Sequence, residues 1–272
     1  MQITFNQHVK DEYIIATRLK YVSTAGEIRV ADASRASVIQ ESGLAMVEAR
    51  KSGRAQIITA VHIGGLNDRQ TPGFVGALKR ARIVYADGIA VVLLARLSGA
   101  RFIQRSPTTE IGTSIIAEVS LILGRPAKIA LVGGKRGLAE HAAMALDKDS
   151  VDIVFSTHGY HTELEWERVL FDLRTSRPDV VLLGLGSPRE LIFADSNRQA
   201  LPPAIILTCG GWFGFLAGEE SRAPLILQTL GLEWVSRLVQ SPRRLGSRYV
   251  IGSFVFARAA LQILLSRVKS RP

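Results

Sequence analysis

Short apolar runs alternate with amphipathic stretches along most of the chain, and this alternation predicts strands separated by helices. The amphipathic stretch 162–175, for example, places Leu164, Val169 and Leu173 at helical spacing. Strands joined by single helices of about ten to fifteen residues are typical of βαβ units. The pattern predicts an α/β fold with a doubly wound, mostly parallel, Rossmann-like sheet. Its strands are predicted at 56–61, 82–85, 128–132, 151–155, 180–183 and 204–207.

Capping residues predict where several helices begin and end. Ser34 is expected to cap a helix that Gly53 ends, because serine accepts a bond from a free N–H and glycine tolerates the left-handed cap. Thr71 followed by Pro72 predicts the start of a helix that runs to about Arg80.

The strand pattern stops after Gly218, and the chain continues with helices at 223–230, 232–239 and 250–268. In the last of them, polar residues spaced by four form one stripe on an otherwise apolar helix. Such a helix either packs on the core or lies in a membrane surface. The chain therefore divides into an N-terminal extension with one strand (1–28), an α/β domain (29–218) and a helical appendage (219–272).

Charge is concentrated in that appendage. The whole chain of 272 residues carries a net charge of +10, and residues 222–272 contain nine Lys or Arg against one acid, Glu233. Such a segment faces nucleic acid, anionic lipid or a diphosphate, or it is a solvated basic face.

No spanning helix is predicted, because Arg258 lies near the middle of the longest apolar stretch. The single cysteine, Cys209, excludes a disulfide framework and favours a reducing, cytoplasmic setting.

Glycine loops follow three predicted strands, at 133–137, 184–188 and 210–211. Backbone N–H groups in such loops meet phosphate oxygens at the carboxyl edge of a parallel sheet, although the glycines also suit simple turns. The spacing matches neither a P-loop nor the dinucleotide fingerprint, whose third glycine is replaced by Arg189. The loops favour a nucleotide-type ligand, and no cofactor is predicted.

Asp87 follows a predicted strand at the same edge, and Thr59 ends the strand before it. A carboxylate there suits a general base, while its alternative role is to cap the next helix. No metal is predicted, since His158 and His161 lack a third ligand and the acidic pair of 147–149 reads as a turn.

Taken together, these segments resemble the WecG/TagA/CpsF family of bacterial glycosyltransferases (glycosyltransferase family 26) over about residues 29–250. The resemblance rests on YADGIAVV, LVGGKRGL, LLGLGSPRE, CGGWFGFLAG, RAP, GLEWVSRL and PRRLGSRY, in that order. It implies an inverting enzyme without a metal that transfers a sugar from a UDP-sugar donor to a polyprenyl-diphosphate-linked acceptor. Such an enzyme works at the cytoplasmic face of the bacterial membrane in exopolysaccharide or cell-surface glycan synthesis. Assembly into a homo-oligomer is left open.

The resemblance also assigns roles to residues. Asp87 matches the family's proposed base and Thr59 its active-site threonine. The donor-binding set is Gly133, Gly134, Gly186, Ser187, Pro188, Arg189, Glu190, Gly210 and Gly211. The set for the acceptor diphosphate is Arg105, Arg237, Arg243, Arg244 and Arg248.

The chain departs from the family pattern around the donor pocket. Val61 replaces an asparagine, Glu190-Leu191 replaces Gln-Glu, Gly214 replaces an aspartate, and the segment after Arg105 lacks a glycine. These changes imply a sugar other than N-acetylmannosamine, or lost activity. Two further alternatives are a non-catalytic sugar-nucleotide-binding assembly subunit and a nucleic-acid-binding protein, although no nucleic-acid-binding motif is found.

Overall fold

The computed structural model describes residues 19–146, 151–221, 223–224, 226–227, 233–240 and 242–269. A two-stranded antiparallel hairpin precedes a six-stranded sheet in which every neighbouring pair is parallel. The strands are β1 (Tyr21–Ser23), β2 (Arg29–Ala31), β3 (Gln56–Val61), β4 (Ile83–Ala86), β5 (Ala127–Gly133), β6 (Val151–Thr157), β7 (Val180–Gly184) and β8 (Ile205–Thr208). All six predicted strands are thereby confirmed, as is the α/β class.

Helices connect the strands and continue beyond them. Those before β5 are α1 (Arg35–Ser52), α2 (Ile63–Asn67), α3 (Phe74–Arg80), α4 (Ile89–Leu97) and α5 (Thr108–Leu123). Those after it are α6 (Leu138–Ala145), α7 (Glu163–Ser176), α8 (Arg189–Ser196), α9 (Trp212–Leu216), α10 (Glu233–Gln240) and α11 (Pro242–Lys269). A short 3₁₀ turn, Asp68–Gln70, follows α2.

Two apolar layers enclose the sheet, because alternate strand residues point to opposite faces. On one face, Ile57 and Val181 pack with α3, α4, α7 and α8. On the other, Ile58 and Leu182 pack with α1, α5 and α6. Burial on both faces explains why the strands are continuous apolar runs rather than alternating ones.

The strand order is β4–β3–β8–β7–β5–β6. The last strand of the chain, β8, therefore lies between β3 and β7 in the middle of the sheet. Because all six strands are parallel, their carboxyl ends share one edge. In open α/β sheets, ligands bind at that edge, where the connections change direction.

The cap of α1 is as predicted: the Ser34 hydroxyl accepts from the backbone of Ser37, and Gly53 has φ 67°. The helix predicted from Thr71-Pro72 instead begins at Phe74, because Gly73 with φ 82° makes a turn first. The described part of the N-terminal extension contains one strand, β1, as predicted, and its partner β2 begins just beyond the extension at Arg29.

The last helix is longer than predicted. It begins at Pro242 rather than Val250, since proline suits the first helical turn, so the PRRLGSRY segment is helical. By length and composition, its part Leu245–Arg267 is apolar enough to cross a membrane, and 11% of that window is buried. The predicted acidic turn at 147–149 lies outside the described residues.

Candidate active site

A cavity of about 1020 Å³ lies at the carboxyl edge of the sheet. Its floor is formed by the ends of β3, β7 and β8, and its walls by the loops that follow them. Residues of α10 and α11 form a further wall. The appendage and the α/β domain thus enclose one space.

Asp87 directly follows β4 and lines the cavity. Its backbone N–H donates to the Val61 carbonyl (3.0 Å), which extends the β3–β4 pairing by one residue and fixes the backbone at this point. The side chain is half-buried. The N-cap of α4 is Gly88, without a side-chain capping bond, so the alternative role of Asp87 as a helix cap is not observed.

Thr59 lies in the floor of the same cavity and is buried. Its hydroxyl is 2.8 Å from that of Thr208, and either oxygen can donate. The contact arises because β8 lies beside β3, with Ile58 opposite Leu207. The two hydroxyls form a fixed polar pair near the strand from which Asp87 emerges.

Glu190, a predicted donor-binding residue, holds two of the glycine loops together. One of its carboxylate oxygens accepts from the backbone N–H of Gly186 (3.0 Å) and of Gly210 (3.1 Å). Burial raises the pKa of the Glu190 carboxyl to about 7. Backbone donors, Leu185 among them, and the charge of Arg248 act in the opposite direction.

The glycines of these loops have a structural role in addition to the donor-binding role predicted for them. The N–H groups of Gly186 and Gly210 donate to Glu190, and the binding of phosphate by these loops stays a prediction. Gly133, with φ 145°, lies against the backbone of Gly184, and a Cβ there would overlap the Gly184 carbonyl. The missing side chains let the strand ends approach closely.

The predicted donor-binding set is brought only partly to the cavity. Gly134, Gly186, Ser187, Glu190, Gly210 and Gly211 line it, whereas Gly133, Pro188 and Arg189 are not among its described lining residues. Arg189 instead donates to the Gly159 carbonyl (3.1 Å). The Ser187 hydroxyl donates to Asp68 (2.8 Å).

The appendage brings Arg248 to the cavity. The Arg248 carbonyl accepts from the Asn67 side chain (2.9 Å), and the rings of Trp234 and Tyr249 lie 5.4 Å apart between α10 and α11. Arg243 is exposed. The side chains of Arg237 and Arg244 lie outside the described part of the chain.

Arg105 also lines the cavity, but it has carboxylate partners. Its guanidinium lies 2.9 Å from Glu110 and 3.2 Å from Glu233. Glu110 in turn lies 2.7 Å from Arg35. The predicted phosphate ligand is thus part of an ion-pair network that joins the α/β domain to α10.

Several lining residues were not predicted. Thr208 becomes visible only once β8 is placed beside β3. His62 caps α2 by accepting from the Gly65 N–H (3.2 Å) and lies against Gly88. Its position directly after a strand was the one signal available in the sequence.

Other predicted features have a structural explanation. Cys209 is buried, and burial raises the pKa of its thiol well above the usual value, as suits a packing residue rather than a nucleophile. His158 and His161 stack on each other with ring centres 4.1 Å apart. Within the described ranges, no three His, Cys, Asp or Glu side chains are placed to hold a metal ion.

Comparison with protein families matches residues 24–270 to one family model, described as "Glycosyl transferase WecG/TagA/CpsF family". The match covers nearly the whole chain, both the α/β domain and the appendage. The chain therefore belongs to this family of glycosyltransferases.

Proposed function

We propose that this WecG/TagA/CpsF glycosyltransferase moves a sugar from a UDP-sugar to a polyprenyl-diphosphate-linked acceptor, with inversion and without a metal. The proposal places it on the inner face of the bacterial cell membrane, in the synthesis of an exopolysaccharide or another cell-surface glycan. The family match supports a sugar-nucleotide donor and a glycan acceptor.

One observation carries the proposal. Asp87 and Thr59 line a single cavity that Arg248 of the appendage also lines. A base, a polar floor and a cation are thus gathered in a space large enough for a nucleotide-sugar. Among the described carboxylates, only Asp87 lies at the end of a strand, lines this cavity and has its backbone fixed by a strand-type hydrogen bond.

In the proposed reaction, the Asp87 carboxylate takes the proton of the acceptor hydroxyl as that oxygen attacks the anomeric carbon. The new C–O bond forms while the bond to UDP breaks on the opposite side, and this displacement inverts the anomeric centre. Negative charge grows on the leaving diphosphate. Arg248 is the described cation we assign to stabilise it.

The departures from the family pattern bear on the donor sugar. Val61 is fully buried in the core, so this change lies behind the cavity wall. Leu191 and Gly214 line the cavity itself, and Glu220 occupies the space beside Gly214. We therefore assign the choice of sugar to the region around these two residues.

The test is transfer from a panel of radiolabelled UDP-sugars to lipid-diphosphate acceptors, with chelator present throughout. Label in the lipid fraction for one sugar would support the reaction and identify the donor. Asp87→Asn is expected to lower kcat by about 10²–10⁴-fold, the usual contribution of a general base, without comparable loss of UDP binding.

Normal turnover by Asp87→Asn would contradict the role of Asp87. UDP binding without transfer from any donor would favour the second candidate, a non-catalytic sugar-nucleotide-binding subunit. This second candidate is supported by the departures from the family pattern at Leu191 and Gly214, which line the cavity.

A further inference from the structure

The joint between the α/β domain and the appendage contains a buried ion pair. The side chain of Arg105 is 15% exposed and that of Glu233 is 8% exposed, and their charged groups lie 3.2 Å apart. Arg105 precedes α5, whereas Glu233 is the first residue of α10. The pair therefore links segments separated by 128 positions in the chain.

Arg105 is held on the side of the α/β domain before it meets the appendage. Glu110, in the first turn of α5, binds the second guanidinium nitrogen at 2.9 Å. Arg35 binds both Glu110 (2.7 Å) and the Arg105 carbonyl (2.6 Å). Because two neighbours fix its position, Arg105 is a rigid docking point rather than a mobile surface cation.

The contacts of the appendage lead from this pair to the cavity. Glu233 begins α10, and the next residue, Trp234, packs against Tyr249 of α11. Arg248 adjoins Tyr249, lines the cavity and acts electrostatically on Glu190. A shift of α10 away from Arg105 is therefore transmitted to Arg248, which alone among the described appendage cations lines the cavity.

We propose that Arg105 is a positioning residue that seats the appendage through Glu233, and not a ligand of the acceptor diphosphate. The pair fixes α10 and α11 so that Arg248 reaches the reacting groups. This inference rests on the proposed function only for the role of Arg248; the seating itself is a statement about structure.

Removal of either partner breaks the buried charge contact between the α/β domain and α10, which disfavours the docked appendage. Arg105→Gln and Glu233→Gln are each expected to raise the rate of tryptic cleavage within residues 233–269 of the full-length protein at least about tenfold. The double variant breaks the same contact as each single variant, so its cleavage rate is expected to be no higher than that of either single variant.

Arg168→Gln is the control, because it removes an arginine from an exposed ion pair on α7, with Asp172 at 3.9 Å, that does not belong to the Arg105 network. It is expected to change the cleavage rate less than about twofold. If Arg105→Gln does not fold, the cleavage rate of Glu233→Gln tests the seating by itself. Glu233 belongs to the appendage, and its replacement adds or removes no tryptic site.

Kinetics separate the two roles of Arg105. Seating predicts that Arg105→Gln and Glu233→Gln reduce kcat/KM for the lipid acceptor together and non-additively. If Arg105 were a diphosphate ligand, Glu233→Gln would leave cleavage unchanged and only Arg105→Gln would raise KM, and this result would overturn the inference. Cleavage is measured without any substrate, so failure of the proposed reaction remains distinguishable from failure of the seating.

Discussion

At the residue scale, Glu190 shows how one buried carboxyl organises the cavity. A single oxygen accepts from the backbone N–H groups of Gly186 and Gly210, in two loops at the ends of neighbouring strands. Burial nevertheless raises the pKa of the carboxyl to about 7 from the ordinary value of 4.5. The folded protein therefore holds this proton at pH values where the unfolded chain releases it.

The sign of the resulting pH dependence follows from linkage. Because the pKa of Glu190 is raised in the folded protein, its protonated carboxyl stabilises the fold. This contribution is fully present below about pH 4.5 and is lost as the pH rises to about 7. The whole loss amounts to about 3 kcal/mol, as an upper estimate from the pKa difference.

Glu190→Gln is expected to remove this pH dependence, since its amide oxygen keeps the double acceptor role without titrating. Urea unfolding of both proteins at pH 5, 6, 7 and 8 measures the difference in unfolding free energy between them. The unfolding free energy of the variant relative to the wild type should rise steadily from pH 5 to 7 and then stay constant. If the difference in unfolding free energy did not vary with pH, the pKa of the Glu190 carboxyl would not be raised in the folded protein.

At the element scale, α11 is seated on the α/β domain through a glycine. Gly252 is buried, and a Cβ at this position would overlap the Ile63 side chain of α2. Ile63 is β-branched and has little rotamer freedom with which to withdraw. Gly246 lies in the same helix, and a Cβ there would meet open space.

These two glycines give a matched pair of variants. Gly252→Ala is expected to weaken the docking of α11 by about 1–3 kcal/mol through overpacking. Gly246→Ala is expected to strengthen the helix by up to about 1 kcal/mol, because alanine favours helices over glycine. Hydrogen–deuterium exchange of the peptides spanning α11 measures both effects.

Faster exchange is expected for Gly252→Ala alone. Equal protection in the two variants would mean that the close approach of α11 to α2 does not hold the appendage in place.

At the scale of the whole molecule, α11 presents an apolar surface outward. Val250, Ile251, Phe254, Leu261 and Leu265 are each more than half exposed. A surface of this kind beside a cluster of basic residues suits a helix that lies in an anionic lipid surface. It would bring the cavity close to a lipid-linked acceptor.

Phe254→Glu with Leu261→Glu places two charges one heptad apart on this surface. The double variant is expected to lower binding to vesicles containing anionic lipid at least about tenfold, since each apolar side chain contributes roughly 1.5–3 kcal/mol on full burial. Co-sedimentation with vesicles measures the loss.

The control is Leu164→Glu with Phe171→Glu, which makes the same change at the same spacing on exposed positions of α7. It is expected to bind as the wild type does. Equal loss in both double variants would indicate that added negative charge, rather than α11, governs binding, and no loss in either would contradict the membrane role.

The sequence by itself determined the layers of the fold. Apolar runs of four to six residues, glycine stops and helix caps are local signals, so the six parallel strands and the cap at Ser34 followed from them. Parallel strands share their carboxyl edge, and this placed Thr59 and Asp87 at the same edge without knowledge of the strand order. The basic appendage followed from counting charges.

Only the tertiary structure decided how that edge becomes a site. The hydroxyl pair of Thr59 and Thr208 spans 149 positions, and it depends on the insertion of β8 beside β3. The pairing of Arg105 with Glu233 likewise depends on where α10 docks. Such contacts leave no periodic trace in the sequence, because each is a single pair of residues brought together by packing elsewhere in the molecule.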